Sequence, residues 1–543
     1  MNPNLTFYTD LKFGQEAIDK LLKGIKTLTK VVSTTLGPKG RNVAIDRTGD
    51  HIVLHDGVEV AKSIHLHDKH EDLGAKILKE AARKTVDQVG DGTTVTIILA
   101  EAIVNECMRI VSAGENPMTI RRSLEEARDK VLKYLDSIAK PVKTLEEKIQ
   151  VATISAEDER LGELIAKTIN EMGVDGIVTV DESKSSETVV EKQQGMQFDK
   201  GYISPYFVTD AGKMEATVEE PYILVGDKNL SVGQHLTSFL EEFSKVSNKL
   251  VVIAPDVTDT ALQVLVVNKV RGVGSISAIK APLFGEKQKS FLQDICVLTG
   301  ATLISDDAGM SWQNAKLEMA GQADRVTSTV DSTLIVGGKG NKAVLDERVA
   351  SLKEALKKEQ SPFEQEKLRE RIAKLSNGVA IIRVGGDTEV EMKNRKESVK
   401  DAVLATKAAV EEGIVPGGEI ALLSSRSVLA DDKSLGGKIL FNALLAPFSK
   451  LVENAGYNAG EKMAEITHLC YVGDIDGDHN ELEKPNKGFD VMDGQFKDMI
   501  EAGIVDPVKV CKHAVKNAVS VAIQIATCGV TIVPVDEKKN SLP

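Results

Sequence analysis

The stretch VGDGTTVTIILAEAI, residues 89–103, puts a glycine-bounded acidic turn directly before a long apolar run. Gly90 and Gly92 let the backbone turn tightly, so a helix starting near Thr93 presents its free N–H groups and positive dipole end outward, to an anion. Asp91 then suits a divalent cation accompanying that anion, and Thr93 and Thr94 offer hydroxyls to phosphate oxygens. A plain helix start, in which Asp91 or Thr93 caps its own backbone, accounts for the same residues. A second glycine turn, TLGPKGRNV at 35–43, follows another helical stretch and lacks the GxxxxGK[ST] pattern. A nucleotide bound here is therefore not held by a P-loop.

Two further acids bear on this chemistry. Asp56, in IVLHDGVEVA, follows a short strand-like run, where an ordinary turn and a metal or water contact explain it equally well. Asp401 lies in SVKDAVLATKAAVEEG, and positions 405, 408 and 409 on its helical face are all alanine. This acid therefore points along a close-packing stripe and away from Lys400, Lys407 and Glu411. A carboxylate so placed suits a water held for general-base work, and equally a buried acid satisfied by structural hydrogen bonds.

At 543 residues the chain exceeds one hydrophobic core, which predicts two to four domains. A net charge of −13 repels phosphate backbones, and no run of lysines and arginines offsets it, so nucleic acid is not an expected partner. MNPNLTFYTD has no basic or apolar leader character, and no membrane span is read further on; a cytoplasmic protein is the expectation. Cys107, Cys296, Cys470, Cys511 and Cys528 form no CxxC pair, which argues against a disulfide framework or a cysteine-based zinc site.

Helical periodicity dominates residues 10–140 and returns after about 390. Between about 190 and 375, β-type runs (YILVG, KLVVIAP, ATLIS, STLIVGG) alternate with helical segments, as expected of an inserted α/β domain. LDERVASLKEALKKEQSPFEQEKLRERIAKL, broken at Pro362, reads as a solvated helical hairpin on that domain. HLHDKH at 65–70 lacks any HExxH or CxxC context and reads as a solvated loop or strand end. DIDGDHNELEKP at 474–485 has His479 and Pro485 where an EF-hand needs glycine and glutamate, which argues against calcium. In DTALQVLVVNKV, 259–270, apolar residues occupy more than one helical face, leaving Leu262 and Val266 to be covered; LTSFLEEF at 236–243 adds a second stripe. The second stripe alone reads as core, and the two adjacent helices together point to an exposed binding patch.

TLGPKGRNV (35–43), VGDGTT (89–94), QGMQFDKGYISPYF (194–207), ALQVLVVNKVRG (261–272), IKAPLFGE (279–286), TEVEMK (388–393), KAAVEEGIVPGG (407–418) and GIVDPVKV (503–510) occur in the order of the signature stretches of the group I chaperonins. Over residues 10–535 the sequence resembles this family, that of the bacterial GroEL proteins. The resemblance implies a multidomain α and α/β chain: a mostly helical equatorial domain with small β elements (1–137 and 412–543), a small α/β intermediate hinge domain (138–193 and 380–411) and an inserted α/β apical domain (194–379). It implies an ATP-driven folding machine with magnesium and potassium, unfolded client polypeptides, a 10 kDa-type co-chaperonin lid and a seven-membered homo-oligomeric ring, single or double.

Carried over position by position, Thr35, Leu36, Gly37 and Pro38 would contact nucleotide, and Asp91, Gly92, Thr93, Thr94 and Val95 would hold phosphates, with magnesium on Asp91 and potassium near Thr35 and Thr94. Asp401 would orient the hydrolytic water, assisted by Asp56 beside His55. Gly418 would approach the ribose and base, Asp506 the ribose, and Asp490, Val491 and Met492 the adenine. Tyr202, Tyr206, Phe207, Leu240, Leu262, Val266 and Val267 match client- and lid-binding positions. The sequence departs from the family pattern at several places: Val95 replaces a threonine, His55 a lysine, Pro416 and Glu419 an alanine and a glycine, and Asp490–Met492 the usual NAA. Thr237 takes a usually apolar lid-binding position. Ser449 and Asn458 stand where an arginine and a glutamate pair across rings, and the sequence ends in KKNSLP without a glycine-methionine tail. A divergent paralogue acting as a binding or scaffold protein, with weak or no ATPase activity, is the alternative expectation.

Overall fold

Leu21, Ile25, Leu28 and Val32 recur at helical spacing, and all are buried along one face of the helix Gly14–Val32. The computed structural model describes residues 9–47, 50–156, 158–173, 176–183, 185–359, 361–470 and 486–534. The acidic stretch 474–485 lies outside them. Two compact units are formed, Met1–Lys167 with Glu397–Pro543, and Thr168–Lys396.

The first unit is a helical body. Its central helix, Thr93–Ser112, buries Ile97, Leu99, Ala100, Ile103, Val104 and Cys107, which is why this run reads as apolar almost all round. Lys69–Val89, Pro117–Ile138, Leu435–Ala443 and Val508–Ala526 pack around it in one core. Small β elements decorate the body. Thr9–Phe13 pairs antiparallel with Val530–Pro534, and Val43–Arg47 with Asp50–Leu54. Ile414–Pro416 pairs with Val505–Pro507, and Lys487–Asp490 with Gln495–Asp498. The segment Leu435–Asn454 is long and apolar enough to cross a membrane by composition, but more than half of it is buried in this body, where it forms two helices broken before Pro447.

In the second unit Ser275–Lys280, Lys249–Ala254, Tyr222–Gly226 and Leu303–Ile304 lie side by side in parallel, with Gly321–Gln322 antiparallel to Tyr222–Gly226. Leu250 to Ala254 are all fully buried, as expected of a parallel strand covered on both faces. A four-stranded antiparallel sheet runs Gly195–Phe198, Thr333–Val336, Arg325–Ser328, Ala216–Glu219. In a third sheet Val379–Val384 lies between Ile177–Glu182 and Val189–Gln193. The charged hairpin is two helices, Lys342–Lys358 and Pro362–Asn377, the second capped by Ser361. It is pinned by one buried carboxylate: fully enclosed Asp294 accepts from Arg348 Nε and Arg371 Nε, both at 2.8 Å. Two guanidinium groups neutralise and hydrogen-bond that acid, the condition under which an enclosed carboxylate is tolerated.

Candidate active site

The helix Lys69–Val89 ends at Gly90, whose φ of 76° is a left-handed cap, and Gly92, at 85°, precedes the helix Thr93–Ser112. Neither glycine is replaceable without movement: a Cβ on Gly90 would meet Leu404 Cβ at 2.4 Å and the Asp401 carbonyl oxygen at 2.6 Å. The acidic turn thus abuts the backbone of the Glu389–Glu412 helix at Asp401. Asp91 accepts from the Gly92 N–H at 2.6 Å. Thr93 is buried and its Oγ1 has no hydrogen-bond partner among the described residues, so this hydroxyl does not cap its own helix. An enclosed hydroxyl left unsatisfied at a helix N-terminus fits an anion that accepts from it.

Behind the turn a buried chain holds it in place. Thr96 Oγ1 donates to the Gly92 carbonyl at 2.7 Å and lies 3.2 Å from Thr85 Oγ1, to which Asn517 Nδ2 donates at 2.8 Å.

Two further segments meet this helix start. Asp56 caps the helix Gly57–Ser63, accepting from Val58 and Glu59 N–H groups at 3.0 Å each. Gly57 permits a close approach: a Cβ there would fall 2.3 Å from Thr94 Oγ1 and 3.6 Å from Thr35 Oγ1. Thr35, Asp56 and Thr94 therefore belong to one locality. The Thr35 turn passes through Gly37 at φ 80° and is closed by Arg41 N–H to the Thr34 carbonyl at 2.7 Å. Asn454 clasps it, donating from Nδ2 to the Ser33 carbonyl at 2.8 Å and to the Leu36 carbonyl at 3.0 Å. His55 Nδ1 lies 3.2 Å from Asn42 Oδ1, and its ring edge is against Gly40.

The electrostatics mark the same place. Burial pushes Asp401 well above the usual carboxylate range, and the negative charges of Asp56 and Asp91 push it further. Asp56 is itself raised, because the protein crowded around it outweighs its two backbone donors, although its oxygens reach solvent. Acids repelling one another around an open helix N-terminus call for a ligand that brings cations. Among the described residues no three such groups form a metal site unaided. A cation here would share its coordination with ligand oxygens, as magnesium does with phosphates.

Leu36, Ile98, Ile420, Leu451, Val491 and Met499 form one apolar cluster next to this locality. Gly418, at φ 64°, stands with its missing side chain 2.9 Å from Met499 Cε. Val491 is buried in the cluster and Met492 is exposed, whereas Asp490 is committed to its own hairpin: it accepts from Met492 N–H at 2.8 Å and pairs with Lys497 at 2.6 Å. Asp490, expected at the adenine, thus has a structural task. Asp506 faces Val415 across a two-stranded sheet, and burial, then the Asp91 charge, raise its carboxyl to about 7.

The family model of the TCP-1/cpn60 chaperonins matches residues 28–534. The chain belongs to the TCP-1/cpn60 chaperonin family. Its fold is similar to that of the chaperonin gp146 from the bacteriophage EL 2 (Pseudomonas aeruginosa), crystallised in the presence of ATP-BeFx, with a TM-score of 0.67 over 97% of this chain and 99% of that chain. Sequence identity is 21%, so this likeness bears on the fold. Both agree with the chaperonin resemblance read from the sequence and with its multidomain α and α/β class. Membership of the family gives the chain a chaperonin-type folding role, which implies client polypeptides and ring oligomers.

On the second unit of this chaperonin, Tyr206 and Val267 are exposed at 69% and 44%, and Leu240, Leu262 and Val266 are partly open. Tyr202 and Phe207, expected on the same face, are instead core residues packed with Leu224, Phe239 and Leu265. Leu236, Phe239 and Phe243 of the second stripe are also core. Val270, Val273 and Phe284, exposed at 66%, 59% and 83%, add apolar area outside the client- and lid-binding positions carried over from the family. His65 and His67 are exposed, while His70 is buried between Thr531 and Asp10.

Proposed function

We propose that this chaperonin hydrolyses ATP at the helix start Thr93–Thr94 and uses the cycle to bind and release non-native polypeptide. The observation that carries the reading is the convergence of Asp56, Asp91 and Asp401, from three separate segments, on one open helix N-terminus with an unsatisfied buried hydroxyl. Thr93 and Thr94 donate hydroxyls, and the turn its N–H groups, to the phosphate oxygens; Leu36 and Val491 offer apolar surface to the base. Magnesium, held by Asp91 together with phosphate oxygens, and potassium near Thr35 and Thr94 supply positive charge to the triphosphate when bound. Asp401 orients the attacking water and accepts its proton as the water oxygen bonds to the γ-phosphorus and the bond to the ADP oxygen breaks. Asp56 steadies the same water.

Tyr206, Leu240, Leu262, Val266 and Val267 give an apolar surface suited to clients and to a 10 kDa-type lid. Bound nucleotide has to favour one domain arrangement over another, since equal affinity for both shifts nothing. We place the protein in the cytoplasm, as a seven-membered ring. Steady-state phosphate release by the purified full chain, with electron microscopy of its rings, tests this reading. Release that depends on ATP and magnesium supports it, and its absence favours the binding-scaffold paralogue, to which the structural task of Asp490 lends weight.

A further inference from the structure

Glu419 occupies an unusual position. It follows Gly417 and Gly418, adopts φ 65°, and begins the short helix Ile420–Ser424 without a side-chain hydrogen bond to it. Only 9% of the residue is exposed, yet among the described residues its carboxyl has no hydrogen bond and no ion pair. The charged groups that act on it are both acids, Asp506 first and then Asp91. Asp506 likewise has no hydrogen-bond partner among the described residues, and it lies across the sheet from Val415, which leads into the same glycine turn. A nine-tenths buried, unpaired acid in a left-handed conformation that glycine adopts freely is costly twice over, and such costs persist where a ligand uses them.

No three acids here form a metal site among the described residues, so a cation held by the protein alone is not the occupant. Two adjacent carboxyl groups fit a neutral pair of O–H donors instead. We infer that Glu419 is a second ribose-reading residue beside Asp506, the two carboxyl groups together gripping the vicinal 2′- and 3′-hydroxyls of the bound nucleotide. This assignment rests on the nucleotide reading of the site. The Asp91 charge acts on both acids, and Ile420, next to Glu419, belongs to the Val491 cluster, so the pair neighbours both the turn read as holding phosphates and the cluster read as facing the base.

The test is calorimetric binding to the full chain of ATP, 2′-deoxy-ATP and 3′-deoxy-ATP with magnesium. The unaltered protein is expected to bind ATP at least about tenfold more tightly than each deoxy analogue. Glu419→Gly is expected to reduce discrimination at one hydroxyl to less than about threefold, and Glu419→Gln to preserve part of it. Because glycine relieves the left-handed strain, Glu419→Gly is expected to melt no lower than the parent, which separates lost recognition from lost folding. Unchanged discrimination by Glu419→Gly overturns the inference while leaving the nucleotide site intact. Failure of the parent chain to bind ATP at all overturns both.

Discussion

The backbone of Gly90 lies directly against that of Asp401: a Cβ added to the glycine would sit 2.6 Å from the Asp401 carbonyl oxygen. Two segments more than three hundred residues apart are thereby held together, and the carboxyl group of the second lies close enough to Asp91 in the first for the two charges to repel. Gly90→Ala tests the contact. The new methyl group must displace the Asp401 helix or strain a backbone at φ 76°, at a cost of about 1–3 kcal/mol in stability. ATP turnover is expected to fall by more than about tenfold, and thermal melting with single-turnover kinetics would separate the two effects.

Thr93 distinguishes a ligand-binding hydroxyl from a structural one. Its Oγ1 is buried and has no hydrogen-bond partner among the described residues. Thr93→Val, which keeps the shape, is expected to leave the melting temperature unchanged or higher and to weaken ATP binding by about tenfold, near 1.4 kcal/mol. A lower melting temperature with unchanged ATP affinity would assign the hydroxyl to the fold.

Asn454 acts at one remove, by holding the Thr35 turn through two carbonyls. Removing it in Asn454→Ala frees both acceptors. A loss of about 1–3 kcal/mol in stability and a raised KM for ATP are expected, with kcat changed less. Urea unfolding and steady-state kinetics on the same preparation check the split.

Asp506 makes a pH prediction. Its carboxyl is raised in the folded chain to about 7 from an ordinary value of 3.8. The folded state therefore binds a proton that the unfolded state has released between those values, and stability is lost as pH rises through that window. The penalty is fully present above pH 7 and absent below pH 3.8. Asp506→Asn is expected to stabilise the protein by up to a few kcal/mol, on the order of 4, at pH 8, with the gain shrinking toward pH 5. A gain independent of pH would contradict the assignment.

The client surface predicts two unlike outcomes from two aromatic residues one position apart. Tyr206 is 69% exposed and Phe207 fully buried. Tyr206→Glu, or Val267→Glu, is expected to abolish capture of a denatured client with little change in melting. Phe207→Ala is expected to cost about 3–5 kcal/mol and to act through unfolding. Light scattering of an aggregating client, read against melting curves, checks both.

Local pattern made much of this visible in the sequence. The run TTVTIILAEAI is apolar on all sides because the Thr93–Ser112 helix is wrapped by neighbours, and the alanines at 405, 408 and 409 are buried as their spacing required. The glycine-bounded acidic turn announced its geometry, since only glycine takes those angles freely. What escaped was set by packing between distant segments. Nothing near Asn454 points to the Thr35 turn, and nothing near Thr85 or Asn517 points to Thr96. Tyr202 and Phe207 came over with the family pattern, but whether an aromatic residue faces solvent or core is decided by which helices cover it. Glu419 did carry a local mark, an acid directly after paired glycines, that reads as a departure until its burial is known.

The most direct test of the central claim is single-turnover ATP hydrolysis by Asp401→Ala, measured with the ATP Kd on the same protein. The account predicts a rate reduced by about a hundredfold or more with a Kd within about threefold of the parent. Hydrolysis at the parent rate would contradict it, because the Asp401 carboxylate would then have no part in the chemistry.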